Sequence, residues 1–456
     1  MSVSRRQLLA GTGAVGAGIA FTGAVEQLFA GAASAAPTGG HDGYGPLVPD
    51  PKGLLDLPRG FRYTVLSREG EPLRSGEGPV PSHCDGMAAF PGRGGRTWLV
   101  RNHENRPDAE NRVPPVKGVT YDPAGLGGCT ALEVDRAGRV HTERVAIAGT
   151  AVNCAGGPTP WHTWLTCEET EDKAGTGDYT KDHGFIFEVD PYRQERTVPE
   201  PLTAMGRFQH EAIAVDPRDG TVYETEDAFE KPFGLFYRFL PKKPRGGFGS
   251  LRAGGRLEAL CVPDVPDLSA VREPGTVFRN VEWKKVPDPL AKETAIRFQD
   301  FGPGGVTHAQ KLEGCYWGGD RVYFVSSFAK TAEGSRADHF GQVWSYEPRH
   351  RRLTLVIVFG PDSDVQKPGE SPDNICLAPQ GGLMVCEDGG GAQHVYGVSR
   401  RRKVYPVARN RQNTGTESEP EWGEFAGVTF SPDNRTMYVN VYDPGTTFAV
   451  TGPWSR

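Results

Sequence analysis

The sequence is short of most of the signatures that name an enzyme class. Beyond its N-terminal stretch no segment reaches 18 consecutive apolar residues, which excludes a membrane-spanning helix there and points to a soluble mature protein. Lysine and arginine are scattered and no long basic run follows the N-terminus. Nucleic acid is therefore not an expected partner, because phosphate-backbone binding needs a basic face. No Cys-x-x-Cys pair occurs, so a cysteine-rich zinc knuckle is excluded. His-Glu-x-x-His, Gly-x-Ser-x-Gly and Walker A patterns are absent, and neither Ser326 nor Ser327 has an evident His/Asp pairing, which argues against a serine hydrolase. The histidines, such as His162, His183, His210 and His308, show no ligand spacing.

What is present is turn-forming residues in quantity. The 456 residues include 60 glycines and 38 prolines, about a fifth of the chain, without a collagen period or a low-complexity tract. Many turns in a chain that is 37% hydrophobic and 24% charged mean many short strands. Residues 1–36 read as a targeting segment: Ser4-Arg5-Arg6-Gln7-Leu8-Leu9 is a twin-arginine pattern, a Gly/Ala-rich stretch follows, and Ala33-Ser34-Ala35 offers a cleavage site. Residues 37–456 are expected to form one domain. Eight cysteines remain, Cys84, Cys129, Cys154, Cys167, Cys261, Cys315, Cys376 and Cys386; an oxidising destination permits disulfides, but their pairing is not readable.

Six segments align without gaps: 97–104, 163–170, 221–228, 321–328, 382–389 and 436–443. Each begins apolar, ends polar, follows a Pro/Gly turn, and has another short apolar strand before that turn, such as Ala212-Ile213-Ala214-Val215. Strand, turn, strand is a hairpin. Copies spaced 54 to 100 residues apart fit a four-stranded blade plus loops, and six such blades make an all-β, six-bladed propeller with loop insertions, the largest at about 241–297. A β-sandwich is the structural alternative.

In a hairpin the start of the first strand lies beside the end of the second. The first strands begin at Asp85, Asn153, Glu211, Glu313, Asp373 and Glu424. The second strands end at Asn102-His103-Glu104, Cys167-Glu168-Glu169, Glu226-Asp227, Ser326-Ser327, Glu387-Asp388 and Asn440. If the hairpins are equivalent blades, these ends share one face around the axial channel. Carboxylates so crowded repel strongly in low dielectric, and bound cations remove the problem. Oxygen-rich sites suit calcium or magnesium, and a thiolate such as Cys167 suits a softer transition metal.

At these positions the chain resembles PhoX-type alkaline phosphatases. The matching segments include Arg101-Asn102-His103-Glu104, Trp164 to Glu169, Arg207 to Ala212, Cys386-Glu387-Asp388-Gly389 and Pro444 to Trp454, running in order from about residue 54 to 456 behind the twin-arginine leader. The resemblance implies a propeller holding ferric iron and calcium, and hydrolysis of small-molecule phosphate monoesters. It implies Cys167, Glu211, Glu313 and Asp373 around iron, with Asp85, Asn102, Glu104, Glu168, Glu387 and Glu424 as further ligands, mainly to calcium. Lys311 and Arg101 are the basic side chains it implies for the phosphoryl group. The twin-arginine pattern points to export through that machinery to the cell envelope or beyond, and a monomer is expected. Two positions depart from the family pattern: Lys311 stands where Arg is usual, losing the bidentate fork, and Tyr442 stands where Gln is common.

Two other readings remain at this level. One is a calcium-dependent propeller hydrolase of lactones or phosphotriesters, which would have no use for a thiolate. The other is an exported binding propeller whose chemistry has lapsed.

Overall fold

The computed structural model describes residues 43–244, 246–360, 364 and 366–454; the twin-arginine motif and its cleavage site lie outside them. Each of the six hairpins forms, and each is the inner pair of a separate sheet. Blade one comprises Cys84–Pro91, Thr97–His103, Gly127–Val134 and Val140–Thr150. Blade two has Asn153–Pro158, Trp164–Glu168 and Ile186–Val189. Blade three has His210–Val215, Val222–Glu226, Gly234–Pro241, Gly255–Cys261 and Glu282–Lys285. Blade four has Leu312–Gly318, Arg321–Ser326, Gln342–Glu347, Arg352–Val358 and Val277–Phe278. Blade five has Pro372–Leu377, Leu383–Glu387, His394–Val398 and Val404–Asn410, extended outward by Leu55–Pro58 and Leu47–Val48. Blade six has Phe425–Phe430, Thr436–Val441, Thr446–Thr451 and Arg62–Arg68. The first strand of every blade touches the first strands of both neighbours, so the six sheets close into a ring around an axis. This is a six-bladed β-propeller, and among the described residues there is no α-helix.

Each interface between blades is filled by its own apolar cluster. Phe90 and Trp164 meet between blades one and two, Leu165 and Ile213 between two and three, and Phe236 and Trp344 between three and four. Val325 and Tyr396 meet between four and five, Val439 and Val395 between five and six, and Leu99 and Tyr438 between six and one. Both faces of an inner strand are therefore buried, which is why Trp164–Glu168 and Leu383–Glu387 are covered along their whole length.

Two features differ from four equal strands per blade. Blade two has three strands, whereas blades three, four and five carry extra edge strands. The 241–297 insertion supplies much of the excess: Gly255–Cys261 and Glu282–Lys285 extend blade three, and Val277–Phe278 pairs with blade four. These strands cover backbone edges that would otherwise stand open. Arg207 fastens the insertion's far end, donating to the carbonyls of Leu290 (3.1 Å) and Ala291 (2.9 Å). The ring is closed by distant sequence, since Arg62–Arg68 completes blade six beside Thr446–Thr451. Blades five and six are thus both finished by the segment that precedes blade one.

Phe448 lies at this closure, fully buried and edge-on to Tyr63 with centroids 5.5 Å apart. Phe448→Ala should cost roughly 3–5 kcal/mol, read as a lower midpoint in denaturant unfolding; stability within about 1 kcal/mol of wild type would show that the closure bears no load.

Candidate metal centre

The same small irregularity occurs at the inner end of every blade. The first and second strands pair at Cys84 with His103, Asn153 with Glu168, His210 with Glu226, Leu312 with Ser326, Pro372 with Glu387, and Phe425 with Val441. Within two residues the register of the first strand then shifts, a bulge repeated six times. A bulge re-aims the residues it contains. The residues just past the pairing position are Asp85, Cys154, Glu211, Glu313, Asp373 and Ala426 on the first strands. Just past the end of the pairing on the second strands stand Glu104, Glu169, Asp227, Ser327, Asp388 and Tyr442.

Small residues let these ends converge. A Cβ on Gly86 would fall 2.5 Å from the Ala155 Cα, and one on Gly314 would fall 2.3 Å from the Asp373 carbonyl oxygen. Gly427, at φ +64°, would place a Cβ 2.5 Å from the Asp85 oxygen. Neighbouring inner strands thus approach backbone to backbone, and their functional side chains are brought into reach of one another.

Three groups of ligand atoms result, each with its atoms within 4.8 Å: Asp85, Glu104 and Cys154; Cys154, Glu169 and Glu211; Glu211, Asp227 and Glu313. Sharing Cys154 and Glu211 fuses them into one buried arc across blades one to four. The Cys154 thiol lies 3.1 Å from Glu211 Oε1 and 3.6 Å from Asp85 Oδ2. Two cationic side chains flank the arc. Arg106 reaches Glu104 at 2.7 Å and Glu169 at 3.1 Å, and Lys311 bridges Glu313 and Asp388, the latter at 3.3 Å. Six buried carboxylates are crowded into this arc, and holding like charges together in a low-dielectric site is costly. A donor set of carboxylate oxygens with one central thiol fits multivalent cations, oxygen-seeking ones toward the ends and a softer one beside the sulfur.

Of the residues proposed from sequence, Asp85, Glu104, Glu211 and Glu313 meet in this arc. Asp373 holds the equivalent ring position in blade five, where its Oδ1 accepts from Asn374 at 2.9 Å. Glu424 is half-buried at the entry to blade six, its carbonyl bound by the Tyr442 amide. Lys311, in a left-handed conformation at φ 48°, lies at the arc's edge, only 2% exposed.

The others are directed elsewhere by strand alternation. Cys167 packs in the apolar core with Leu165 and Ile186, where burial first, and then the nearby Glu224 and Glu211 carboxylates, push its thiol pKa up. The cysteine in the arc is instead Cys154, one residue beyond the strand start read from sequence. Asn153 points away to Thr150 (2.6 Å) and Thr166 (2.8 Å). Glu168 accepts from His183 (2.6 Å) and the amides of Ala151, Gly184 and Phe185. Glu387 likewise accepts from His394 (2.8 Å) and the amides of Gly369 and Glu370. Glu226 takes the Tyr237 hydroxyl at 2.6 Å. In each acidic pair the first residue fastens the start of the third strand and the second residue faces the channel, because successive side chains on a strand point to opposite sides. In blade one the gapless alignment is out of step by one, since His103, not Asn102, occupies the pairing position. Asn102 ties blade one to blade two, accepting from Trp164 (2.8 Å) and donating to the Ala155 carbonyl (2.6 Å).

Arg101 is fully buried between blades one and six, where it donates to Thr447 (2.6 Å), Thr130 and Glu143 (both 3.1 Å). The basic group that sequence reasoning missed is Arg106; it sits in a loop outside the repeat and carried no positional signal. Tyr442 stacks on His83 at 4.7 Å and reaches the Glu104 carbonyl at 3.4 Å, forming a wall of the arc.

A family model described as alkaline phosphatase PhoX matches residues 42–144 and 137–445. A search of curated proteins found no match. Among solved structures, Pseudomonas fluorescens PhoX in complex with vanadate, a transition state analogue, superposes with a TM-score of 0.66 at 17% identity, covering 88% of this chain and 96% of that one. The gluconolactonase XC5397 of Xanthomonas campestris gives a TM-score of 0.42 at 14% identity, covering 90% of this chain and 98% of that one.

Adjacent acids should separate function from folding. Glu168→Gln should lower stability by about 1–3 kcal/mol while preserving divalent-cation binding, and Glu169→Gln should do the reverse; equal effects of the two in thermal unfolding and in titration with a divalent cation would contradict the alternation. All eight cysteines are free and buried, with burial pushing Cys84 up to about 11 and Cys129 up to about 12. A thiol reagent at neutral pH should accordingly label the native protein far more slowly than the unfolded one, and reductant should leave Tm unchanged.

Proposed function

The chain belongs to the PhoX alkaline phosphatase family, and we propose that it releases phosphate from small phosphate monoesters at a mixed iron and calcium centre held by the arc of acids around Cys154. The observation that carries this reading is the fusion of three ligand groups through Cys154 and Glu211. A thiol among carboxylates suits iron, and the oxygen-only group of Glu211, Asp227 and Glu313 suits calcium. Cations bound there supply Lewis acidity and lower the pKa of water, which is the chemistry that phosphate ester hydrolysis requires.

The side chains have distinct tasks in this proposal. Asp85, Glu104, Cys154, Glu169, Glu211, Asp227 and Glu313 are the ligands, with Asp373, Asp388 and Glu424 toward blades five and six. Arg106, at the solvent end of the arc, meets the phosphoryl oxygens with its planar fork, and Lys311 adds a point charge from the other side. Both bring positive charge to where negative charge accumulates in the transition state. His83 and Tyr442 flank the ester and keep bulk water from one side of it. Glu168, Glu387, Asn102 and Arg101 act indirectly by fixing the strands that carry the ligands. The twin-arginine segment supports export of the folded, metal-loaded protein to the cell envelope or beyond, where it acts on soluble esters. The thiol in the cluster weighs against a calcium-only hydrolase of lactones or phosphotriesters.

Glu211→Ala should lose on the order of 100-fold or more in hydrolysis of a chromogenic phosphate monoester, together with bound metal. Cys154→Ser should lower iron content and activity, whereas Cys167→Ser should keep both. A wild-type rate from Glu211→Ala, or iron lost from Cys167→Ser and retained in Cys154→Ser, would overturn the assignment.

A further inference from the structure

The two faces of the propeller carry different chemistry. Strand ends that bear the acids lie on one face, and the hairpin turns lie on the other. On the turn face, between blades six and one, is a groove of about 720 Å³ whose lining includes Arg62, Arg136 and Arg435. These residues are far apart in sequence, and the ring closure gathers them: Arg62 opens the strand that completes blade six, Arg435 is in that blade's first turn, and Arg136 is in the outer turn of blade one. All three are exposed. The one acid in the lining is Asp433, 3.5 Å from Arg136. Nearby acids are already engaged by other bases. Asp135 is held by Arg139 (2.8 Å) and His141 (3.0 Å), and Glu133 by Arg96 (2.9 Å). Three guanidinium groups therefore face a single carboxylate within a chain whose net charge is −6. Thr97 and Thr436, also in the lining, add hydroxyls.

We propose that this groove is a second anion site, which takes a phosphate group. Guanidinium forks match phosphate oxygens in pairs, and an exposed positive groove on an otherwise negative protein selects anions. The volume exceeds what a single phosphate ion fills, which leaves room along the groove for the rest of a phosphate-bearing molecule. The site is separate from the metal arc. The strands Thr97–His103 and Thr436–Val441 run from the groove to the arc, which sets the two about 20 Å apart. The inference does not depend on the catalytic reading.

Two sources share this chemistry, the phosphodiester headgroup of an anionic lipid and free phosphate. Cosedimentation with vesicles of phosphatidylglycerol in phosphatidylcholine, against phosphatidylcholine alone, tests the first. Calorimetric titration with inorganic phosphate tests the second, carried out in wild type and in Glu211→Ala so that binding at the arc is counted separately. The wild type should bind at least one probe, and Arg62→Ala/Arg435→Ala should weaken that binding about 10-fold or more with Tm and phosphatase activity unchanged. Arg62→Lys/Arg435→Lys should recover part of it. Selective loss from anionic vesicles assigns the lipid source, and selective loss of a phosphate site outside the arc assigns free phosphate. If neither probe binds apart from phosphate at the arc, if the double Ala variant binds like wild type, or if neutral vesicles bind equally, the proposal fails.

Discussion

The structure turns on the repulsion among carboxylates that the inner strands force together. Close backbone approach at Gly86, Gly314 and Gly427 narrows the ring until Asp85, Glu211 and Glu313 belong to one chain of ligand groups. Alone, that geometry is unfavourable, since like charges a few ångströms apart in a buried site repel. Arg106 and Lys311 offset part of it from the two ends of the arc. Much of the surrounding architecture can be understood as holding the acids in place against this repulsion.

The restraint comes from polar ties that run between elements. Glu168 and Glu387 lock the third strands of blades two and five, Asn102 bridges blades one and two, and Arg101 bridges one and six. Arg297 brings the insertion inward to Glu226 (3.1 Å) and Glu171 (2.9 Å), so that loop participates in the rigidity of blade three. Around these ties each blade interface is sealed by apolar side chains, which keeps water from competing for the buried hydrogen bonds. A ligand set supported in this way on strands is held more tightly in position than one on loops.

The opposite face follows a different logic. Its turns are exposed and their arginines solvated, so charge can collect there without the penalty met in the channel. The result is a polarised molecule, acidic where cations fit and basic at the groove between blades six and one.

How much of this was legible beforehand differs residue by residue. The six hairpins, their acidic ends and the common face were readable because turn residues and apolar runs are local signals. Glu211 and Glu313 were found because the repeat marks them directly. The choice between Cys154 and Cys167, or between Glu168 and Glu169, was not readable from aligned copies. It depends on which side of a strand each residue faces after a bulge, and a shift of one residue reverses the answer. Arg106 carries no such mark, because it lies outside the repeat. Likewise the arginines of the turn-face groove, scattered from 62 to 435, meet only because an N-terminal strand completes the last blade. By itself, then, the sequence determined the repeating unit, the propeller and the presence of an acidic centre, all of which follow from short-range pattern. Register, ring closure and the partner of each buried charge were decided by tertiary structure, because a bulge resets which side each residue faces and the ring is closed by segments hundreds of residues apart.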